Sequence, residues 1–292
     1  MPEPLLSHDF LRRLDRLRLA SNEPARGHLK GMHRANRTGS GMEFADYRPY
    51  SAGDDLKNVD WRTYLRLDRL FVKLFIEEAD LPIYIFLDSS ASMAVGGKFE
   101  FGRKIAAALA HIAFVNMDRV NLISVADGVV QERSGLRGKN QSWPAFSFLQ
   151  TLQCRGNTEL ESAFKRYFAL PRAKGLTIVI SDFLDPAGYE AGLSVLRNVR
   201  QDVLALQLIS SNEITAFDSE GEVVLVDAEN GSQTRHRMTP ALREQYQRAF
   251  QEHCESIKSY CERNGWGYLQ SSTGENIETL ILHALRKEGL LR

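Results

Sequence analysis

The chain has 292 residues, 43% hydrophobic and 25% charged, with 37 basic and 37 acidic side chains. That is enough for one large globular domain or two small ones, and the zero formal charge gives no global field toward nucleic acid or a membrane surface. No apolar run approaches the ~20 residues that span a bilayer, and the three cysteines, Cys154, Cys254 and Cys261, are too sparse for a disulfide scaffold. The start, Met1-Pro2-Glu3-Pro4, has no basic-then-apolar leader pattern, so a soluble, cytoplasmic protein is expected. No Cys or His cluster has zinc spacing, and the cysteines read as reduced structural thiols.

Residues 4–20 predict a helix with Leu5, Leu6, Phe10, Leu14 and Leu17 on one stripe. Residues 21–42 read as a loop or basic arm. Its Lys30, His33, Arg34 and Arg37 lack aromatic stacking groups, so nucleic-acid binding is not expected. Met42–Tyr50 reads as extended, with Pro49 and Gly53 as breakers, and Asp54 is expected to cap a short helix through Trp61. Leu70–Glu77 reads as a strand, followed by a turn around Asp80. In this stretch Tyr47, Tyr50 and Trp61 suggest a small structural subdomain. Alternatively, Arg48, Asp54, Asp55, Asp60 and Arg62 form a partner-binding surface. The expected division is a helix and arm over 1–42, a β subdomain over 43–80 packed on the main domain, and a main domain over 81–292.

From residue 81 strands and helices alternate. Strands are predicted at 82–88, 120–126, 176–182, 203–210 and 267–271, and helices at 98–116, 141–153, 158–169, 187–200, 240–263 and 275–288. A strand at 128–133 is expected to form a hairpin with 120–126, and residues 222–238 a second hairpin turning at Glu229-Asn230-Gly231. The fold class is therefore α/β, a doubly wound, mainly parallel sheet with helices on both faces. Such sheets bind ligands outside the carboxyl ends of their strands, where strand order reverses.

One motif falls at such an end. The apolar run Leu81–Leu87 stops at Asp88, and Ser90 and Ser92 follow in a D-x-S-x-S pattern. A carboxylate with two hydroxyls is a set of hard oxygen donors suited to Mg²⁺ or Mn²⁺, although an Asp followed by serines also suits a plain helix cap. Gly156-Asn157-Thr158-Glu159-Leu160 delivers Thr158 ahead of a helix, and Ile178–Ser181 ends in Asp182. Neighbouring strand ends would bring Asp88, Ser90, Ser92, Thr158 and Asp182 to one cation. Glu100 and Asp127 would support the site or serve as caps and turns. His111, His236, His253 and His283 are isolated and read as structural or surface residues.

This constellation resembles the metal-ion-dependent adhesion site of von Willebrand factor type A domains. The preceding stretch, Glu43–Tyr50, Gly53-Asp54-Asp55, Asp60-Trp61-Arg62 and Leu67–Lys73, resembles the signature of the bacterial family called domain of unknown function 58, over roughly residues 25 to 288. The resemblance implies direct metal ligation by Ser90 and Ser92. It implies direct or water-mediated contact by Asp88 and Asp182, and a switching contact by Thr158. It implies a divalent cation, Mg²⁺ before Mn²⁺ or Ca²⁺, and a non-enzymatic module that binds a partner's Asp or Glu through the metal. The partner it implies is a MoxR-type AAA+ ATPase in protein assembly or remodelling. Long family members carry membrane segments near the start; this sequence shows none, so membrane insertion is not expected. The alternative is a Mg²⁺-dependent hydrolase or phosphotransferase using Asp88.

Overall fold

The computed structural model describes residues 5–19, 42–77, 81–211, 213, 221–229 and 231–284. The arm residues before Met42, the turn at Asp80 and the end of the last predicted helix lie outside these. The chain forms two units, residues 1–22 with 81–292, and residues 23–80.

The larger unit is built on six strands: β3 (Pro82–Asp88), β4 (Arg119–Ala126), β5 (Gly128–Arg137), β6 (Leu176–Ser181), β7 (Asp202–Ile209) and β10 (Gly267–Ser272). Their order is β10-β7-β6-β3-β4-β5, parallel throughout except for the antiparallel β4–β5 edge hairpin. The apolar runs follow from burial on both faces. Along β3, Ile83, Ile85 and Leu87 enter one core and Tyr84 and Phe86 the other. The first core takes in α1 (His8–Leu14), α3 (Lys98–Val115) and α4 (Ser142–Thr151). The second takes in α5 (Leu160–Tyr167), α6 (Tyr189–Asn198) and α7 (Pro240–Arg263). From β3 the chain passes to β4 on one side, and β6 returns on the other. The reversal lies between β3 and β6, the position at which such sheets bind ligands.

Several expectations change. The first helix is only seven residues long, capped by Ser7, whose Oγ accepts the Phe10 N–H at 3.2 Å. It belongs with the main unit rather than with an arm. Phe10 and Leu14 are buried in the first core, and Asp15 bonds His111 Nε2 at 3.0 Å and Lys139 at 2.7 Å. Residues 277–284 carry the last helical segment, a short α turn at Ile277–Thr279 followed by a π turn at Leu280–Ala284.

The smaller unit pairs β1 (Met42–Pro49) antiparallel with β2 (Phe71–Glu77), with a bulge between Phe44 and Asp46. The helix expected over 54–61 is replaced by a 3-10 turn at Leu56–Asn58, capped by Asp55, and α2 (Trp61–Leu67), capped by Asp60. Asp54 cannot cap because its carboxylate is taken by Arg48 at 2.8 Å and by the Ser51 N–H at 2.8 Å. Two of the three aromatics named above stand at the surface of this unit. Trp61 is 54% exposed and Tyr47 43%, while Val59, Val72 and Asp60 are buried. The Tyr47 hydroxyl donates to Asp60 at 2.7 Å, and its ring meets Phe71 edge to face at 6.4 Å between centroids.

The second predicted hairpin forms as a separate two-stranded sheet, β8 (Gly221–Val226) against β9 (Gln233–Met238). Phe86 tests the packing at the centre of the large sheet. It is fully buried, with Phe164 at 4.9 Å and Tyr167 at 5.1 Å between ring centroids. Phe86→Ala is expected to cost about 3–5 kcal/mol in urea unfolding, whereas Val224→Ala on the exposed hairpin should stay within about 0.5 kcal/mol.

Candidate metal centre

The carboxyl ends of the adjacent strands β3 and β6 place Asp88 on the tip of β3 and Asp182 one residue beyond the tip of β6. Both are buried, at 1% and 2% exposure. Asp88 Oδ1 accepts the Ser90 N–H at 2.9 Å, and Oδ2 accepts the Ser181 hydroxyl at 2.5 Å. Ser90 and Ser92 are buried and share a hydrogen bond, Oγ to Oγ 2.9 Å. Burial, and then the neighbouring charge of Asp182, push the Asp88 carboxyl up from its ordinary 3.8 to about 7.

The threonine loop is stitched to the same corner. The Ala91 N–H donates to Gly156 O at 3.0 Å and the Arg155 N–H to Ser89 O at 2.7 Å. Asp127 supports it, accepting the Asn157 N–H at 2.6 Å. Gly156 is required here. Its φ is +73°, and a Cβ would lie 2.4 Å from Asp127 Oδ2. Thr158 is 1% exposed, and both its N–H and its Oγ1 donate to Glu229 Oε1, at 3.0 and 2.9 Å. The Leu160 N–H, which opens α5, donates to Asp185 from the loop after β6, at 2.9 Å. Thus Asp88, Ser90, Ser92, Thr158 and Asp182 all stand at one corner of the sheet, on three loops tied to one another.

Sequence reasoning missed four neighbours. Lys98, the first residue of α3, is fully buried and bonds Asp182 Oδ2 at 2.7 Å and also Glu213 Oε1. Burial works to lower its pKa, but the charges of Asp182 and Glu213 outweigh this and raise it. Glu213 is held in place by Ser210, whose N–H it accepts at 2.8 Å while donating its own N–H to Ser210 Oγ at 3.1 Å. Ser181 and Glu229 are the others. The one available signal was position: Ser181 precedes Asp182, and Lys98 follows Gly96-Gly97. Position 96 requires glycine, because φ is +62° and a Cβ would lie 2.2 Å from Ser210 Cβ. Phe183, beside Asp182, holds φ +58°, a strained value for a bulky residue.

The donor set fits a divalent cation. Asp88, Asp182 and Glu213 with Lys98 make three carboxylates against one ammonium, so two negative charges are left when all are ionised. One divalent ion balances them. Ser90, Ser92 and Thr158 add hydroxyl oxygens of the hard type that Mg²⁺ takes. Among the described residues no group of three or more His, Cys, Asp and Glu forms a metal cluster. Such an ion would therefore rest on hydroxyls as well as acids.

The remaining candidates have local roles. Arg48 and Asp54 pair with each other, Asp55 accepts the Lys57 N–H at 3.0 Å, and the Arg62 N–H donates to Asp60 at 3.0 Å. Glu100 pairs with Arg103 on the surface of α3. His111 is buried, with Nδ1 on Ser142 Oγ at 2.9 Å. The cysteines are free, and burial pushes Cys154 and Cys261 up to about 12.

The fold and corner together define a mixed α/β protein with a buried acid–hydroxyl site at the carboxyl edge of a mainly parallel sheet. The chain belongs to the family described as protein of unknown function DUF58, which matches residues 46–256. Uncharacterized proteins of Mycobacterium bovis and Mycobacterium tuberculosis are each 29% identical over 244 residues, covering 81% of this chain and 76% of theirs. Among solved structures, BatB from Bacteroides thetaiotaomicron is 13% identical with a TM-score of 0.43, covering 72% of this chain and 98% of that one. An aerotolerance-related membrane protein from Bacteroides fragilis is 14% identical with a TM-score of 0.42, covering 71% and 98%. Both superpositions are too loose to transfer fold or function. Among the described residues of this chain, no helix is long and apolar enough to cross a membrane.

The raised Asp88 carboxyl binds its proton more tightly in the folded chain than in the unfolded one. Its contribution is therefore present at low pH and lost as pH rises from about 4 through about 7. Thermal melts in EDTA should show stability falling between about pH 4 and about pH 7. D88N should remove most of that slope; an unchanged slope in the variant would contradict the assignment.

Proposed function

We propose that the main unit is a von Willebrand factor type A-like domain, and that it binds a partner protein's Asp or Glu through a divalent cation, Mg²⁺ first. The observation that carries this reading is the fully buried Asp88, beside Asp182 at the switch point of the sheet, with Ser90, Ser92 and Thr158 presented on adjoining loops. Ser90, Ser92 and Thr158 would hold the ion, with Asp88 and Asp182 as direct or water-mediated ligands. Lys98 offsets one of the three carboxylate charges, so the acids present do not outweigh the charge of a bound divalent ion. The ion, when bound, supplies a coordination position for an incoming carboxylate. Family resemblance supports a MoxR-type AAA+ ATPase as partner in a cytoplasmic assembly or remodelling system. The sequence contains no G-x-x-x-x-G-K-[ST] of its own.

One observation favours the competing reading, a Mg²⁺-dependent hydrolase or phosphotransferase: Asp88 titrates near neutrality, as acid–base groups do. Against it, both Asp88 oxygens already accept hydrogen bonds and the group is 1% exposed, which suits holding more than reacting. Asp88-dependent turnover in a phosphoester screen would favour the enzyme.

In calorimetric titration the full chain should bind Mg²⁺, and D88N or S90A should weaken that binding ~10–100-fold. Partners retained in a pull-down with Mg²⁺ should be lost with EDTA and with D88N. Retention under both conditions would defeat the metal bridge.

A further inference from the structure

Glu229 sets a carboxylate on Thr158, one of the candidate metal ligands. It comes from the turn between β8 and β9, and its Oε1 accepts both the N–H and the hydroxyl of Thr158, at 3.0 and 2.9 Å. The turn is built to present it. The Glu229 N–H donates to Asp227 Oδ1 at 2.8 Å, the Gly231 N–H to Asp227 O at 2.9 Å, and the Asp227 N–H to Ser232 O at 2.9 Å. Gly231 takes φ +71°, which closes the turn.

The hairpin behind the turn is lightly held. Its two strands pair only with each other among the described strands, and Val224 and Val226 are 50% and 58% exposed. An isolated two-stranded hairpin is marginally stable by itself, so lifting its tip costs little compared with moving a core element.

The geometry points to Glu229 as a tethered ligand: the hairpin tip covers the carboxylate-accepting side of Thr158, and a partner must displace it. This rests on the metal-bridge reading and deepens it by naming the partner's chemistry. The competing group is an acidic side chain presented at the tip of a tight protein turn. A tethered competitor acts at an effective concentration of about millimolar for a short link, so it screens out weak acidic ligands and yields to a well-presented one.

The test uses the full chain, E229A and E229Q. E229Q keeps the side-chain shape and an acceptor for Thr158 but removes the charge, and both changes lie on a surface turn. The probe is a fluorescein-labelled peptide of Gly221–Met238 added in trans. With Mg²⁺ it should bind both variants at least ~10-fold tighter than the unchanged chain. EDTA, or Glu229→Gln in the peptide, should abolish that binding. If calorimetry shows Mg²⁺ bound but the peptide binds all three chains alike, or none, the tethered-ligand inference is overturned and the metal reading stands. If none of the chains binds Mg²⁺, the metal reading falls and takes the inference with it.

Discussion

Asp88 and Asp182 stand at the tips of adjacent parallel strands, almost wholly out of water, and their charges oppose each other. Two such carboxylates cannot both be ionised at low cost in a buried crevice. The surroundings answer this in three ways. Ser181 and the Ser90 N–H donate to Asp88, Lys98 pairs with Asp182, and Asp88 itself shifts toward holding a proton. Lys98 is shared with Glu213, so the balance stays negative. Much of the local backbone serves this corner: Gly96 brings the start of α3 close to Ser210, Gly156 makes room for Asp127, and Phe183 accepts a strained φ beside Asp182.

That constraint also orders the loops. The threonine loop is hydrogen-bonded to the residues after β3, and α5 begins on Asp185 from the loop after β6. Asp88 thus stands among three loops joined to one another by short hydrogen bonds. The hairpin of β8 and β9 pairs with no other described strand, and it reaches the site through Glu229 and Thr158.

The sheet was legible in the sequence because its strands are buried on both faces. The apolar runs 82–88 and 176–181 carry that burial in their composition, and the strand-ending acids mark their carboxyl tips. The D-x-S-x-S spacing and the Gly-led threonine loop were legible for the same reason, as local patterns. Lys98, Glu213 and Glu229 were not, because each meets the site across long sequence separations: 84 residues from Lys98 to Asp182, 115 to Glu213, and 71 from Thr158 to Glu229. The smaller unit misled for a different reason. Asp54 and Asp55 look alike as caps, and the choice fell to Asp55 once Arg48 took Asp54. Trp61, grouped in the sequence with a small structural subdomain, is an exposed helix residue.

The most direct test of the central claim is a crystal structure of the chain grown with Mn²⁺, with anomalous scattering used to place the metal. The account predicts a single ion at the β3–β6 crevice, with oxygen ligands from Ser90, Ser92 and Thr158 and with Asp88 and Asp182 in contact directly or through water. An empty crevice with Mn²⁺ bound elsewhere, or an ion that Asp88→Asn does not displace, would contradict it.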